Sequence, residues 1–352
     1  MATIALFNGI ALSTQINFRM TFSRITGLGY YVPDNIITNN DLTKWMDTSD
    51  EWIQERTGIK ERRYFEYGKD TNYSMAAAAS RQALERADIA PDQVDVIVYA
   101  TITPDYFFPG SAFLMQRELG MDGIPVIDIR QQCSGFVYAL SIADQFIKSG
   151  MYKTALVVGS EIQSSWIDKS TAGRNTAVIF GDGAGAAVLQ ATTDESHRIL
   201  STHLHADGRF AEDLFVKEPG SSRPGRTATT EMIDDGGFNV HMNGNTVFKH
   251  AIVRFGEVIN EALDANGFQS SDVNVLVPHQ ANIRISEYVR QQMGLSEEQV
   301  INNIQRFGNT TAASIPIALA EAWEEGRIKE GDLVCLAAFG SGFTWASALI
   351  KW

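Results

Sequence analysis

The chain of 352 residues has only two cysteines, Cys133 and Cys335. Two thiols cannot build a disulfide framework, and reduced thiols in a cytoplasmic protein are the simplest reading. No run of 18 or more apolar residues occurs, so no membrane span is expected. Positive charge is scarce: 29 Lys and Arg stand against 42 Asp and Glu, a net charge of −13. That balance argues against general nucleic-acid binding, and an acidic partner would need a local basic patch. Metal-ligand spacing is missing too, so no metal site is expected; His203 and His205 lack partners in sequence and suit a surface strand. The glycine-rich GDGAG (Gly181 to Gly185) and FGSGF (Phe339 to Phe343) lack both the dinucleotide Gly-x-Gly-x-x-Gly and the P-loop Lys-Ser/Thr. Close backbone approach explains them better. What remains is a globular composition, 44% hydrophobic and 20% charged, enough for one large core or two fused ones.

The first 19 residues carry one charge, Arg19, with no basic stretch ahead of an apolar core. A secretory signal is not expected there; residues 1–19 read as an extension before a domain that opens at Met20. Strand-like and helix-like stretches then alternate, which points to α/β layers. An internal repeat sharpens this. ALERADIAPDQVDVIVYA (Ala83 to Ala100) matches ALDANGFQSSDVNVLVPH (Ala262 to His279) without a gap. IKSG (Ile147 to Gly150) matches IKEG (Ile328 to Gly331), and IFGDGAGAAVL (Ile179 to Leu189) resembles AFGSGFTWASALI (Ala338 to Ile350), in the same order. Two similar halves, roughly 20–195 and 196–352, follow.

Cys133 sits where a β-branched strand pattern (Val126, Ile127, Ile129) gives way to a helical one (Phe136, Val137, Leu140). A thiol at a helix start faces unpaired N–H groups and the positive end of the macrodipole. Both lower its pKa from about 8.5 and make a nucleophile; a buried structural cysteine is the alternative. The repeat sets Ala100 opposite His279 at a strand end, and the Cys133 region opposite Phe307–Asn309. Ligands of α/β sheets gather at the carboxyl ends of strands, so Cys133, His279 and Asn309 are expected to meet near the junction of the halves. An Asn amide and a His N–H together can stabilise an enolate or oxyanion, whereas either alone is more often structural. A backbone N–H from FGSG, paired with that of Cys133, can serve as an oxyanion hole.

CSGF at Cys133, PHQAN at His279, GNTTAAS at Asn309 and the C-terminal FGSGFTW resemble β-ketoacyl-acyl carrier protein synthase III. So do TSDEWIQERTGIKER (Thr48 to Arg62), IFGDGAGAAVL and MNGNTVFKHA, in order from Met20 to Trp352. The resemblance implies the duplicated thiolase fold in five layers, α-β-α-β-α, and a homodimer. It implies a decarboxylative condensation of acyl-CoA with malonyl-acyl carrier protein, opening fatty acid synthesis, with no cofactor. Cys133 would carry the acyl group; His279 and Asn309 would stabilise the enolate; the N–H groups of Cys133 and Ser341 would form the oxyanion hole. Trp52, Arg56, Arg174 and Asn245 match positions that hold CoA, and Lys249 and Arg284 positions that meet the acidic carrier protein. Phe108 and Phe180 match the acyl pocket, where Tyr106, Phe107 and Phe108 would line the partner subunit's cavity and shorten it.

Some positions depart from that pattern. Gln131 and Gln132 precede the cysteine where small apolar residues are commoner, Asn175 follows Arg174, and Ser341 replaces a frequent Gly. Ser341 should matter little, because only its backbone donor is used; the others leave the primer open, and a relative using longer or unusual primers in secondary metabolism is the nearest rival. A thiolase would need a second catalytic cysteine, but Cys335 lies in a buried strand pattern. A hydroxymethylglutaryl-type synthase would want an acid near the nucleophile, and none is evident in the motif. A non-catalytic acyl-binding protein is the alternative of another class.

Overall fold

The computed structural model describes residues 20–221 and 228–352; residues 1–19, read above as an extension, lie outside it. Among the described residues, nine strands form two main sheets. The first contains β1 (Phe22–Tyr31), β2 (Val96–Ala100), β3 (Val126–Ile129), β4 (Thr154–Ile162) and β5 (Asp182–Thr192), in the order β1-β5-β4-β2-β3. The second contains β6 (Arg198–Ala206), β7 (Val275–Pro278), β8 (Leu333–Gly340) and β9 (Thr344–Lys351), in the order β6-β9-β8-β7. Strand directions correspond as well: β2 and β4 pair parallel, as do β7 and β8, and the remaining neighbours of β4 and β8 are antiparallel. The counterpart of β3 is reduced to one parallel bridge, Leu276 to Val300.

Helices complete five layers. In chain order they are α1 (Asp50–Thr57), α2 (Asn72–Arg86), α3 (Gly135–Lys148), α4 (Gly244–Asn266), α5 (Ile283–Met293) and α6 (Ser314–Glu324). The α2 helix packs on the outer face of the first sheet, with Met75, Ala76, Ala79 and Ala83 buried along its inner stripe. The α4 helix covers the second sheet, and α5 packs against α4. Between the sheets lie α3 and α6, which touch strands of both. Phe136, Val137, Leu140 and Ile147 of α3, and every residue of α6 from Ser314 to Ala322, are buried. A helix apolar on all sides can only exist inside a protein, so these two sequences oblige a sheet on each face.

Small residues set how closely the layers approach. A Cβ on Gly27 would stand 2.1 Å from the Ala83 carbonyl oxygen, and one on Gly29 2.2 Å from that of Ala79. Backbone cannot yield as a flexible side chain can, so β1 and α2 need glycine to sit at this spacing. Gly29→Ala is expected to cost roughly 1–3 kcal/mol, read as a lower urea midpoint; an unchanged midpoint would show that the spacing is not set there.

Candidate active site

Cys133 lies at the centre of a short 3₁₀ turn, Gln132–Ser134, that leads into α3. Gln132 has φ +47°, a left-handed conformation unusual for a side chain larger than glycine. The same device recurs in the second half, where Thr311 has φ +52° and opens the turn Thr311–Ala313 before α6. The structural mate of Cys133 is therefore Ala312, not a residue of Phe307–Asn309. Ala100 precedes Cys133 by as many residues as His279 precedes Ala312, so the ungapped pairing, carried forward, leads to the same correspondence.

The end of β8 closes over the thiol. A Cβ on Gly340 would come within 2.9 Å of Cys133 Cβ and N, so glycine lets the FGSG backbone reach the nucleophile. The backbone N–H groups of Cys133 and Ser341 both point at the Cys133 sulfur. The Ser341 hydroxyl turns away and donates to the Leu214 carbonyl. Cys133 is 8% exposed and opens on a cavity of about 670 Å³, bounded by Thr103, Phe107, Trp166, Phe180, Leu214 and Thr311 among others. Gln132 lines this cavity too, with its Oε1 buried and unpartnered.

His279 follows β7, and its N–H bonds the Ala337 carbonyl of β8 at 2.8 Å. Its Nδ1 lies 2.6 Å from Ser314 Oγ, which also accepts a 3.4 Å bond from the Gln280 N–H. The serine proton is thus directed at Nδ1, leaving the proton on Nε2, which is buried without a partner. Burial pushes the imidazole down to about 3, so it is a neutral donor. Asn309 is fixed by backbone bonds with Ile179 (2.9 Å) and Gly181 (3.1 Å). Its Oδ1 accepts from the Thr311 N–H at 2.8 Å, which leaves Nδ2 without a partner among the described residues. Two side-chain N–H donors are therefore left unclaimed, and that of Asn309 neighbours Thr311 in the cavity wall.

Two expectations need correction. The helix start was to depress the Cys133 thiol; instead burial, followed by the charge of Glu161, pushes it up to about 12. The N–H groups of Cys133 and Ser341 pull the other way, but desolvation of a sulfur sealed under Gly340 outweighs them. The motif around Cys133 holds no acid; Glu161, fully buried in β4, comes from 28 residues further along the chain. His203 and His205, read as unpartnered, share Glu261 of α4 at 3.3 and 2.6 Å. Among the described residues no group of three metal-binding side chains occurs.

A model of 3-oxoacyl-acyl-carrier-protein synthase III matches residues 127–208, and one of the same enzyme's C-terminal part matches residues 263–352. The β-ketoacyl-acyl-carrier-protein synthase III of Rhodospirillum centenum is 47% identical over 333 residues, covering 94% of this chain and 99% of its own. The chain belongs to the β-ketoacyl-acyl carrier protein synthase III family. A crystal structure of 3-oxoacyl-acyl-carrier-protein synthase III from Aquifex aeolicus VF5 superposes with a TM-score of 0.86 at 42% identity, covering 94% of this chain and all of that one. The priming β-ketosynthase of the R1128 polyketide pathway gives 0.85 at 32% identity, covering 94% of this chain and 96% of that one. The five layers are thus the thiolase fold of the synthase III family.

The remaining residues matched to synthase III fall into separate groups. Arg56 and Arg174 stack over the Trp52 ring at 4.4 and 4.9 Å, and Arg174 is held by the Asp47 carbonyl at 2.7 Å. Asn175 falls in the same short helix as Arg174. Asn245 is exposed in the first turn of α4, and Lys249 one turn later. Arg284 at the start of α5 reaches the Phe248 ring of α4 at 5.8 Å. Phe180 is buried in the cavity wall, whereas Phe108 is 74% exposed and points away from this subunit's cavity; Phe107 lines it instead. Cys335 is buried in β8, opposite Leu276 and Leu349.

Neutral His279 ties stability to acid. Its folded pKa is about 3 against an ordinary 6.5, so the unfolded chain takes up the proton first. Stability present above pH 6.5 is lost as pH falls toward 3. In His279→Gln that share vanishes, so the wild-type urea midpoint is expected to fall more steeply than the variant's between about pH 6.5 and 4. Equal slopes would contradict a buried neutral imidazole.

Proposed function

We propose that this chain condenses an acyl-CoA primer with malonyl-acyl carrier protein, giving a 3-oxoacyl-acyl carrier protein and opening fatty acid synthesis. One observation carries the reading. Backbone of the FGSG segment closes on a buried thiol, while His279 Nε2 at the end of β7 and Asn309 Nδ2, next to the cavity-lining Thr311, are left without partners. The donor pairs suit two different oxyanions.

In the first step Cys133 Sγ attacks the thioester carbonyl of acyl-CoA. The negative oxygen rests on the N–H groups of Cys133 and Ser341, CoA leaves, and the thiol proton departs with it. The acyl group then occupies the cavity beside Phe180. In the second step the malonyl thioester oxygen sits between His279 Nε2–H and Asn309 Nδ2–H. Loss of CO2 leaves an enolate on that oxygen, and neutral donors stabilise it without a proton being transferred. The carbanion attacks the acyl carbon, the C–S bond to Cys133 breaks, and the thiolate regains a proton. The chemistry needs no metal or prosthetic group.

The mouth suits the two carriers. Trp52 between Arg56 and Arg174 offers an aromatic face and two cations to the adenine and phosphates of CoA, with Asn245 free for the pantetheine arm. Lys249 and Arg284 form the local basic patch that an acidic carrier protein requires on a chain of net charge −13. Both substrates and two reduced thiols fit a cytoplasmic enzyme, and no helix of the described residues is long and apolar enough to cross a membrane.

A second copy is expected to pair along β3. That strand is bonded only to β2, and Val126, Ile127 and Ile129 on it are half-buried. Tyr106, Phe107, Phe108 and Phe113 are exposed in the segments leading to it. Such an edge, flanked by exposed aromatics, invites strand pairing and burial. Phe108 would then face the partner's cavity. Sedimentation at micromolar concentration is expected to give twice the chain mass; a monomer there would refute the pairing.

Incubation with acetyl-CoA is expected to add one acyl group by intact mass, and Cys133→Ala to abolish it. Absence of an adduct from every CoA thioester between two and ten carbons would overturn the reading, and the preferred length in that panel separates initiation from specialised primers. His279→Ala and Asn309→Ala are expected to acylate normally and to lose decarboxylation by 10² or more; loss of acylation would reassign them.

A further inference from the structure

Tyr106, Phe107 and Phe108 are exposed on a stretch that is neither helix nor strand. Its base, by contrast, is densely bonded. The Asp105 carboxylate takes three donors: the N–H groups of Asn72 at 2.9 Å and Tyr73 at 3.0 Å, and the Ser111 hydroxyl at 2.7 Å. Ser111 Oγ, fully buried, accepts the Asp105 N–H in return at 2.9 Å. The two ends of the stretch 105–111 are thus tied to each other, and Asp105 ties them to α2.

Helix starts explain why a carboxylate serves here. Asn72 and Tyr73 open α2, where the first N–H groups have no partner within the helix and the dipole is positive. Asp105 satisfies two of them at once. From the same helix start, Asn72 Nδ2 donates to the Thr103 carbonyl at 3.0 Å and to Thr101 Oγ1 at 3.1 Å, which pins the chain ahead of Asp105. Beyond the aromatics, the Ala112 N–H donates to Asp128 Oδ1 of β3 at 3.4 Å. Gly110 packs on that same carboxyl, where a Cβ would stand 2.3 Å from its carbon. Only residues 106–109 are left to project.

The projecting residues have a use for this frame. Phe107 is 60% exposed, yet it lines the cavity in which Cys133 opens, together with Thr103 and Pro104. What the bonds at the base fix is therefore the place of a cavity wall.

We propose that Asp105 is a positioning residue for primer choice: by holding the stretch 105–111 to the start of α2, it keeps Phe107 in the wall of the Cys133 cavity and so limits the length of acyl group that fits. The proposal rests on Cys133 taking an acyl group from CoA. With the tie cut, Phe107 can swing outward, and the room it leaves buries more of a long acyl chain. An acetyl group, with one carbon beyond its carbonyl, gains nothing from that room.

Rates of Cys133 acylation by acetyl-CoA and by decanoyl-CoA, read by intact mass, test this. Asp105→Asn changes volume little but sets an amide N–H against the donors of α2 and Ser111. The decanoyl-to-acetyl rate ratio is expected to rise about tenfold, the worth of roughly two further buried CH2 groups. Phe107→Ala is expected to raise the same ratio. A purely structural role would slow both primers by one factor and leave the ratio alone. A folded Asp105→Asn with the wild-type ratio therefore overturns the proposal, as does an unchanged ratio in Phe107→Ala. If Asp105→Asn does not fold, Ser111→Ala, which cuts only the tie between the two ends, decides by the same ratio. Acylation of the wild type by acetyl-CoA is scored first, so failure of the acyl-carrying role of Cys133 is distinguishable from failure of the Asp105 role.

Discussion

Backbone meets backbone where the two halves join, and the active site depends on that contact. A Cβ on Gly159 of the first half would stand 2.5 Å from the Ala312 carbonyl oxygen of the second. One on Gly181 would stand 2.2 Å from the Phe307 carbonyl oxygen, and one on Gly340 2.9 Å from the Cys133 nitrogen. Each pair crosses the junction. Together they bring the Cys133 turn, the Asn309 loop and the end of β8 nearer than side chains would permit. The small-residue face of α6 serves the same end, since Gly185 packs directly on Pro316. The pseudo-twofold is more than a record of duplication: it sets the two helix-opening turns, Gln132–Ser134 and Thr311–Ala313, against one another.

Burial at that junction decides the electrostatics. It raises Cys133 and Glu161 and lowers His279, in every case favouring the uncharged form. The consequences differ with role. A neutral imidazole is the right donor for an enolate, because a charged one could protonate it. A thiol in place of a thiolate makes acylation depend on proton loss during attack. Oriented N–H groups, rather than full charges, then meet each developing oxyanion, and in a dry site they need no reorganisation.

Much of this was legible in the sequence, for a definable reason. The repeat between Ala83–Ala100 and Ala262–His279 exposed the two sheets, because a strand buried on both faces has an unmistakable apolar run. Trp52 and Arg56 lie one helical turn apart in α1, so their stacking followed from spacing alone. The motif around Cys133 marked a strand-to-helix turn. Less legible was anything that needed a partner from afar. Arg174 joins the same Trp52 ring from more than a hundred residues away, and Glu261 joins His203 and His205 across from another helix.

The sequence by itself determined the layered α/β architecture and the duplication, and it singled out Cys133, His279 and Asn309 as candidates, since periodicity, repeats and motif chemistry are local properties. Tertiary structure alone decided that Phe107 rather than Phe108 lines this subunit's cavity, and that Glu161 is fully buried in β4. It also reversed the expected direction for the thiol. Helix-start donors are written in the local sequence; desolvation is a sum over everything packed around the sulfur, and at Cys133 that sum prevails.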